Sequence, residues 1–213
     1  MDRAYILEAM LDARLVAVVR AGTLAQARRA AQAVMEAGFR LVEITFTVPD
    51  APALIEELAH TAPDGVLVGA GSVTNGDHAR LAIGAGARYV VSPIRQLDLV
   101  RVCHQVGVPC ILGALTATEI VDAHRAGADL VKVFPVGLVG GPRYIRQILG
   151  PLPGLSLMAS GGVNLSNFQD FLEAGARCLA LGSDLLNPTL VKEGDHAAMV
   201  RRAREYLRAL EKS

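Results

Sequence analysis

Arg125-Ala126-Gly127-Ala128-Asp129-Leu130-Val131-Lys132-Val133-Phe134-Pro135 contains a pattern that recurs along the chain. A helix ends at an alanine, a glycine caps it, and an apolar strand follows. The same pattern surrounds Gly38, Gly86 and Gly175, and the four glycines lie 48, 41 and 48 residues apart. This period is about twice the length of one strand and one helix, so a further strand should lie between each pair.

Short apolar segments do occupy those intermediate positions, which gives eight predicted strands. They are Leu15–Val19, Leu41–Phe46, Val66–Val68, Tyr89–Ser92, Val108–Leu112, Leu130–Phe134, Leu155–Ala159 and Cys178–Leu181. Helical patterns separate the strands. We therefore expect one domain, residues 1–213, folded as a single (β/α)8 TIM barrel with an N-terminal helix. An open doubly wound sheet would also alternate strands and helices, but it would not explain the fourfold repetition.

Composition argues against several classes of protein. The 21 basic and 21 acidic residues give a formal charge of zero, so neither nucleic acid nor an anionic membrane is an expected partner. An apolar content of 52% indicates that another subunit covers part of the surface. Three cysteines do not indicate a disulfide framework, and no apolar run approaches the ~20 residues that span a bilayer. We therefore expect a cytoplasmic protein.

Lys132 stands out because lysine is rare here: the chain has three lysines against eighteen arginines, and Lys132 lies inside an apolar run. Arginine stays charged at any working pH, whereas a desolvated lysine can become a neutral nucleophile. The repeat also gives Lys132 a partner. The fifth residue after each capping glycine is Glu43, Val91, Lys132 or Ala180. Alternate barrel strands supply one interior layer, so Glu43 and Lys132 should face the same cavity as a catalytic pair or a structural ion pair.

The next layer towards the C-terminal mouth of the barrel should hold Thr45, Pro93, Phe134 and Gly182. Beside it, Ser160-Gly161-Gly162-Val163-Asn164 follows the seventh predicted strand and Gly182-Ser183 follows the eighth. Loops at these two positions commonly bind phosphate in this fold, although each could be an ordinary turn.

Two further segments are candidates for binding an anion or a carbonyl oxygen. Gly69-Ala70-Gly71-Ser72 is predicted as a loop after the third strand, where small residues let backbone approach a ligand and Ser72 offers a hydroxyl. A tight turn explains it equally well. Arg20, which ends the first strand, could bind an anion or form a surface salt bridge.

No metal site is expected, because the five histidines fall in predicted helices or at their ends and none clusters with Asp or Glu at metal-ligand spacing. A cavity lysine, a nearby carboxylate and anion sites suit carbonyl chemistry through a Schiff base. A phosphate-binding isomerase or epimerase could use the same two residues for acid/base work. A non-catalytic sugar-phosphate-binding protein is a third possibility.

These motifs together resemble the 2-keto-3-deoxy-6-phosphogluconate (KDPG) aldolases, which also act on 4-hydroxy-2-oxoglutarate (KHG). The resemblance runs through Val42-Glu43-Ile44-Thr45, Val68-Gly69-Ala70-Gly71-Ser72-Val73, Val91-Ser92-Pro93, Gly113 with Thr116 to Glu119, Val131-Lys132-Val133-Phe134-Pro135 and Ser160-Gly161-Gly162. It implies a class I aldolase with Lys132 as the Schiff-base lysine and Glu43 as the general acid/base. It also implies a metal-free homotrimer whose only cofactor-like species is the covalent lysine imine.

The resemblance further implies cleavage of a small 2-keto acid to pyruvate and either glyceraldehyde 3-phosphate or glyoxylate. Its site would use Ser72, Thr45 and Arg20 at the substrate carboxylate or carbonyl, Pro93 and Phe134 as pocket walls, and Ser160, Gly161, Gly162, Gly182 and Ser183 at the phosphate. One departure affects the carboxylate. Many members have an arginine four residues after the glutamate, where this chain has Thr47. Carboxylate binding would then depend on Ser72, backbone N–H groups or Arg20.

Overall fold

The computed structural model describes residues 2–211 and shows a closed barrel of eight parallel strands. Each strand pairs with its neighbours in chain order, and the first strand pairs with the eighth to close the barrel. Helices alternate with the strands around the outside. The predicted (β/α)8 barrel with an N-terminal helix is confirmed, and the open sheet is excluded.

The bounds of the elements follow. The strands are β1 Leu15–Val19, β2 Leu41–Thr45, β3 Leu67–Gly71, β4 Val90–Val91, β5 Cys110–Ala114, β6 Leu130–Val133, β7 Leu157–Ser160 and β8 Cys178–Leu181. The helices are α1 Arg3–Ala13, α2 Leu24–Ala37, α3 Ala51–Thr61, α4 Gly76–Gly84, α5 Asp98–His104, α6 Ala117–Arg125, α7 Pro142–Leu149, α8 Phe168–Glu173, α9 Pro188–Glu193 and α10 His196–Leu210. A short 3-10 helix spans Val136–Val139.

The capping glycines behave as the repeat predicts. Gly38, Gly86, Gly127 and Gly175 all have φ between 95° and 111°, a left-handed conformation that residues with a side chain rarely adopt. Helix starts likewise depend on contacts between residues that are close in sequence. Thr116 accepts from the Glu119 amide while the Glu119 carboxylate accepts from the Thr116 amide, which is a capping box that starts α6.

Six of the eight strands differ from their predicted bounds by one to three residues, and the differences at β3 and β5 have a clear physical reason. Gly69, Ala70 and Gly71 lie within β3 rather than in a loop after it, because neighbouring side chains fill the inward space that each glycine leaves. The fifth strand was predicted over Val108–Leu112, but it begins only at Cys110. Pro109 has no N–H to donate to a strand neighbour, so regular pairing starts after it.

The core has two parts, one on each side of the barrel wall. The larger part fills the space between the strands and the surrounding helices. The smaller part fills the barrel interior and includes Leu41, Leu67 and Leu130, which begin their strands. Ile6 and Met10 of α1 belong to this interior cluster, so the N-terminal helix closes the end of the barrel where the strands start. The candidate site lies at the opposite end of the barrel, where the strands end.

Within residues 2–211, none of the helices combines the length and the apolar character that crossing a bilayer requires.

Candidate active site

Lys132 on β6 and Glu43 on β2 lie inside the barrel and approach each other. Lys132 Nζ is 4.0 Å from Glu43 Oε1, and the two residues are 6% and 0% exposed. This separation allows charge attraction but is too long for a hydrogen bond. The repeat assigns Lys132 and Glu43 to equivalent positions on their strands. The two residues do lie in one layer of the barrel interior.

The Glu43 carboxylate is unusually bare for a buried charge. Neither of its oxygens has a hydrogen-bond partner among residues 2–211. Burial raises the pKa of the Glu43 carboxyl, and the positive charges of Lys132 and Arg20 only partly offset this effect. A carboxyl in such surroundings can hold a proton at a higher pH than an exposed glutamate and release it to a nearby base.

Gly71 on β3 makes room for this carboxylate. A Cβ at Gly71 would lie 1.9 Å from Glu43 Oε1 and 2.5 Å from Glu43 Cδ, so any side chain there would displace the carboxyl group. Gly113 has the same relation to Pro93, which the sequence predicts as a pocket wall. A Cβ at Gly113 would lie 2.2 Å from the Pro93 carbonyl carbon. At both positions the absence of a side chain therefore leaves the space that a neighbouring group occupies within the barrel.

Phe134 directly follows β6 and contacts the lysine. Lys132 Nζ lies 5.5 Å from the centre of the Phe134 ring, which is within range of a cation–π interaction. The Phe134 side chain is 36% exposed, so one side of it faces the opening of the barrel. The ring thus forms a wall between the lysine and solvent.

The candidate carboxylate-binding residues all follow or end neighbouring strands at the C-terminal end of the barrel. The Thr45 hydroxyl donates to the Val19 carbonyl oxygen at 3.0 Å and lies 2.8 Å from the Thr47 hydroxyl. Since Thr45 has one hydrogen to donate, Thr47 is the donor in that second contact. Ser72 has φ of 57°, a left-handed conformation directly after β3, and Arg20 is exposed after β1. The Thr45 hydroxyl is therefore committed to the backbone, whereas Arg20 remains open to a ligand.

The loops after β6 and β7 pack directly against each other. The Gly137 amide donates to the Gly161 carbonyl oxygen at 2.7 Å, and a Cβ at Gly162 would lie 2.8 Å from Gly137 Cα. Asn167 adds a bond from its side-chain amide to the Gly162 carbonyl oxygen at 3.0 Å. Gly161 and Gly162 have φ of 78° and 94°, so both the close approach and the backbone conformation require glycine.

Asp184 ties this region to the segment after β8, and sequence reasoning missed it. Its carboxylate accepts from the Leu165 amide at 3.3 Å, from Arg202 at 2.6 Å and from the Tyr206 hydroxyl. It therefore links the segment after β7 to α10, beside the predicted phosphate residues Gly182 and Ser183. No sequence motif distinguishes Asp184 from other acidic loop residues, because its partners are 18 to 22 residues away.

All the predicted site residues thus lie at one end of the barrel or in the layer beneath it. Lys132, Glu43 and Ser160 are buried there, while Arg20 and Ser183 are exposed at its edge. Across residues 2–211, no group of three or more His, Cys, Asp or Glu side chains is arranged to hold a metal ion.

A family model described as KDPG and KHG aldolase matches residues 6–202. The chain belongs to the KDPG and KHG aldolase family. It is 35% identical to a probable 2-dehydro-3-deoxy-6-phosphogalactonate aldolase of Rhizobium meliloti, over 84% of each chain. It is 32% identical to a 2-dehydro-3-deoxy-phosphogluconate aldolase of Treponema pallidum, over 95% of this chain and 96% of that one.

A solved structure described as native KDPGal has a TM-score of 0.84 and 29% identity, covering 93% of this chain and 94% of that one. The family resemblance and the aldolase activity inferred from the motifs are confirmed by these matches. An isomerase and a non-catalytic binding protein are set aside.

Proposed function

We propose that this aldolase reversibly cleaves a 2-keto-4-hydroxy acid to pyruvate and an aldehyde through an imine on Lys132. The observation that carries the proposal is the buried approach of Lys132 Nζ to Glu43 Oε1 at 4.0 Å. It pairs a potential nucleophile with a carboxyl group that can accept its proton. Since a bare, buried carboxylate is costly, its presence beside a lysine favours a chemical role over a packing role.

The reaction begins with proton transfer from the Lys132 ammonium to Glu43. The neutral amine adds to C2 of the substrate, and the resulting carbinolamine loses water to form a protonated imine. Glu43 donates the proton that the departing hydroxyl needs and is left ionised. It then removes the proton of the C4 hydroxyl, directly or through a water.

Loss of that proton breaks the C3–C4 bond. The electrons of the bond move towards the imine nitrogen, which becomes the neutral nitrogen of an enamine, and C4 leaves as an aldehyde. Protonation at C3 and hydrolysis of the imine release pyruvate and regenerate Lys132. The raised pKa of Glu43 suits this double use, because one carboxyl group must both give and take a proton near neutral pH.

Arg20 and Ser72 are our candidates for binding the substrate carboxylate, in place of the arginine that Thr47 replaces. Arg20 lies close enough for its charge to lower the pKa of Glu43. Ser72 follows β3 beside the site. The Thr45 hydroxyl already donates its hydrogen to the Val19 carbonyl oxygen, so at this end of the pocket it would act only as a hydrogen-bond acceptor. Phe134 and Pro93 would enclose the pyruvyl portion.

The far end of the substrate would lie at Ser160, Gly161, Gly162, Gly182 and Ser183. Glycine loops follow β7 and β8, and backbone N–H groups of loops at these two positions commonly bind phosphate in this fold. A phosphorylated six-carbon acid would yield glyceraldehyde 3-phosphate, and KHG would yield glyoxylate. The names of the relatives include both phosphogluconate and phosphogalactonate acids, which differ at C4, so both epimers are candidate substrates.

The imine is tested by borohydride reduction in the presence of pyruvate, followed by peptide mass spectrometry. We expect a stable adduct on Lys132, and an unmodified, fully active enzyme would overturn the mechanism. Lys132→Arg should abolish turnover because guanidinium cannot form the imine. Lys192→Arg is the matched control, since Lys192 is exposed on α9 and should leave turnover unchanged.

Substrate choice is tested by comparing kcat/KM for the two C4 epimers of the phosphorylated acid and for KHG. A phosphorylated acid should be preferred if the loops bind phosphate. Equal values with and without the phosphate would show that Gly161, Gly162 and Ser183 form turns only.

We also propose that the protein acts in the cytoplasm as a homotrimer without a metal or other cofactor. Large apolar side chains support the assembly: Leu138 is 85% exposed and Ile94 is 48% exposed, on the segments that follow β6 and β4. Burying them against another subunit would be favourable. Sedimentation velocity should give the mass of a trimer, and Leu138→Glu should reduce it. Turnover should persist after dialysis against a chelator.

A further inference from the structure

Tyr89, immediately before β4, is a buried polar residue that the mechanism above does not use. Its side chain is fully buried, and its hydroxyl has no hydrogen-bond partner among residues 2–211. Burial raises the pKa of the Tyr89 phenol well above its ordinary value, and the charge of Glu43 raises it further. The phenol is therefore a neutral hydrogen-bond donor, and Glu43 is close enough to affect it.

The two glycines of β3 locate the phenol relative to the carboxylate. The Tyr89 ring fills the space beside Gly69, where a Cβ would lie 2.4 Å from Tyr89 Cζ, the atom that carries the hydroxyl. The Glu43 carboxyl fills the space beside Gly71, where a Cβ would lie 1.9 Å from Oε1. Gly69 and Gly71 face inward two residues apart on one strand, roughly 6.6 Å from each other. The phenol therefore lies one step deeper in the barrel than the carboxylate, on the same strand face.

These neighbours are matched in chemistry. The phenol has one hydrogen to donate, and the two Glu43 oxygens have no partner. They make no direct hydrogen bond to each other, so a link between them requires one intervening water with a bond to each group. An apolar barrel layer would be better served by phenylalanine, because a buried hydroxyl without a partner costs free energy.

We propose that Tyr89 is a positioning residue whose hydroxyl, through one internal water, holds the Glu43 carboxylate in place and favours its ionised form. The inference rests on the proposed role of Glu43 as acid/base. Other groups whose charges act on Glu43, or on which Glu43 acts, are Lys132, Arg20 and Cys178. Burial raises the pKa of the Cys178 thiol to about 12, so it stays neutral. Among the groups that interact with Glu43, Tyr89 is the one that offers a phenolic hydrogen-bond donor.

Tyr89→Phe tests the proposal because it removes only the hydroxyl and keeps the ring beside Gly69. Loss of a donor to the carboxylate should raise the pKa of Glu43. The acid limb of the kcat–pH profile should therefore move upward by about one pH unit, as expected for one bond to a charged group. Below that limb kcat should fall about tenfold, and above it kcat should match the parent, with KM unchanged throughout.

Tyr206→Phe is the matched control, because Tyr206 is also fully buried but its hydroxyl bonds to Asp184 on the outside of the barrel. Its acid limb should stay in place. Superimposable profiles for Tyr89→Phe and the parent would overturn the proposal, even if the melting temperature changed, since a packing role would alter stability alone.

Borohydride trapping with pyruvate separates this outcome from failure of the mechanism itself. An adduct on Lys132 in both the parent and Tyr89→Phe, together with a shifted acid limb, supports both inferences. An adduct in both with an unshifted limb overturns only the role of Tyr89. Absence of the adduct in the parent overturns the imine, and with it the acid/base role that Tyr89 would serve.

Discussion

Gly71→Ala should inactivate the enzyme by moving a single carboxyl group. The added Cβ would lie 1.9 Å from Glu43 Oε1, whereas real Cβ contacts are not shorter than 3.0 Å. The carboxylate must therefore move by at least about 1.1 Å, the difference between these distances. Gly71 does not have a positive φ, so alanine does not strain the backbone. The three atoms nearest to the added Cβ all belong to the side chain of Glu43.

A displacement of this size is expected to lower kcat about 100-fold, because proton transfer depends steeply on the position of the catalytic group. Overpacking of a barrel interior costs about 1–3 kcal/mol of unfolding free energy. For a chain of this size that corresponds to a fall of roughly 2 to 12 °C in Tm. The loss of activity should therefore be far larger than partial unfolding at the assay temperature explains.

The assay couples pyruvate release to lactate dehydrogenase and is paired with thermal unfolding monitored by circular dichroism. Gly154→Ala is the control, because Gly154 has no positive φ and a Cβ there would meet nothing within 4 Å. It should change neither kcat nor Tm. A folded Gly71→Ala enzyme with kcat within threefold of the parent would refute the view that the position of Glu43 controls the chemistry.

Other contacts give outcomes that can be measured separately. Glu43→Gln should raise Tm at neutral pH: the folded pKa of this carboxyl is raised, so the parent loses stability as pH rises through the window between the unfolded and folded pKa values. The two melting temperatures should converge below about pH 4, and a constant difference would contradict the reasoning. Arg20→Ala should raise KM for the keto acid about tenfold and move the acid limb of kcat upward, since Arg20 lowers the pKa of Glu43. Steady-state kinetics across pH check both effects, and an unchanged KM would remove Arg20 from carboxylate binding. Asp184→Asn weakens the link between the segment after β7 and α10, so kcat/KM should fall more for the phosphorylated acid than for KHG. Equal losses on the two substrates would show that Asp184 does not support the loops proposed to bind phosphate.

The barrel and the pairing of Lys132 with Glu43 could be predicted because both depend on local, periodic information. A capping glycine three residues before a strand fixes which residues begin that strand, and alternation then fixes which side chains face inward. Counting from Gly38 and Gly127 was enough to place Glu43 and Lys132 in one layer. Helix starts such as Thr116 with Glu119 are equally local.

The residues that were missed depend on contacts between distant segments. Gly69 and Gly71 carry the usual signal of a turn, yet they lie in a strand because Tyr89 and Glu43 fill their inward space. A single sequence does not show which neighbour requires a missing side chain. The sequence gives no sign of a role for Tyr89 either, since a tyrosine at the start of an apolar strand is typical of ordinary packing.

The α1 helix at the base of the barrel has a kinetic consequence. Because Ile6 and Met10 pack into the interior cluster at the end where the strands begin, we expect substrates to enter and leave at the C-terminal mouth. In the proposed mechanism the pyruvyl group is covalently attached to Lys132, so the aldehyde departs first, and pyruvate enters first in the direction of synthesis. Product inhibition should follow this order: pyruvate should compete with the keto acid for the free enzyme, whereas the aldehyde should act on the enamine form.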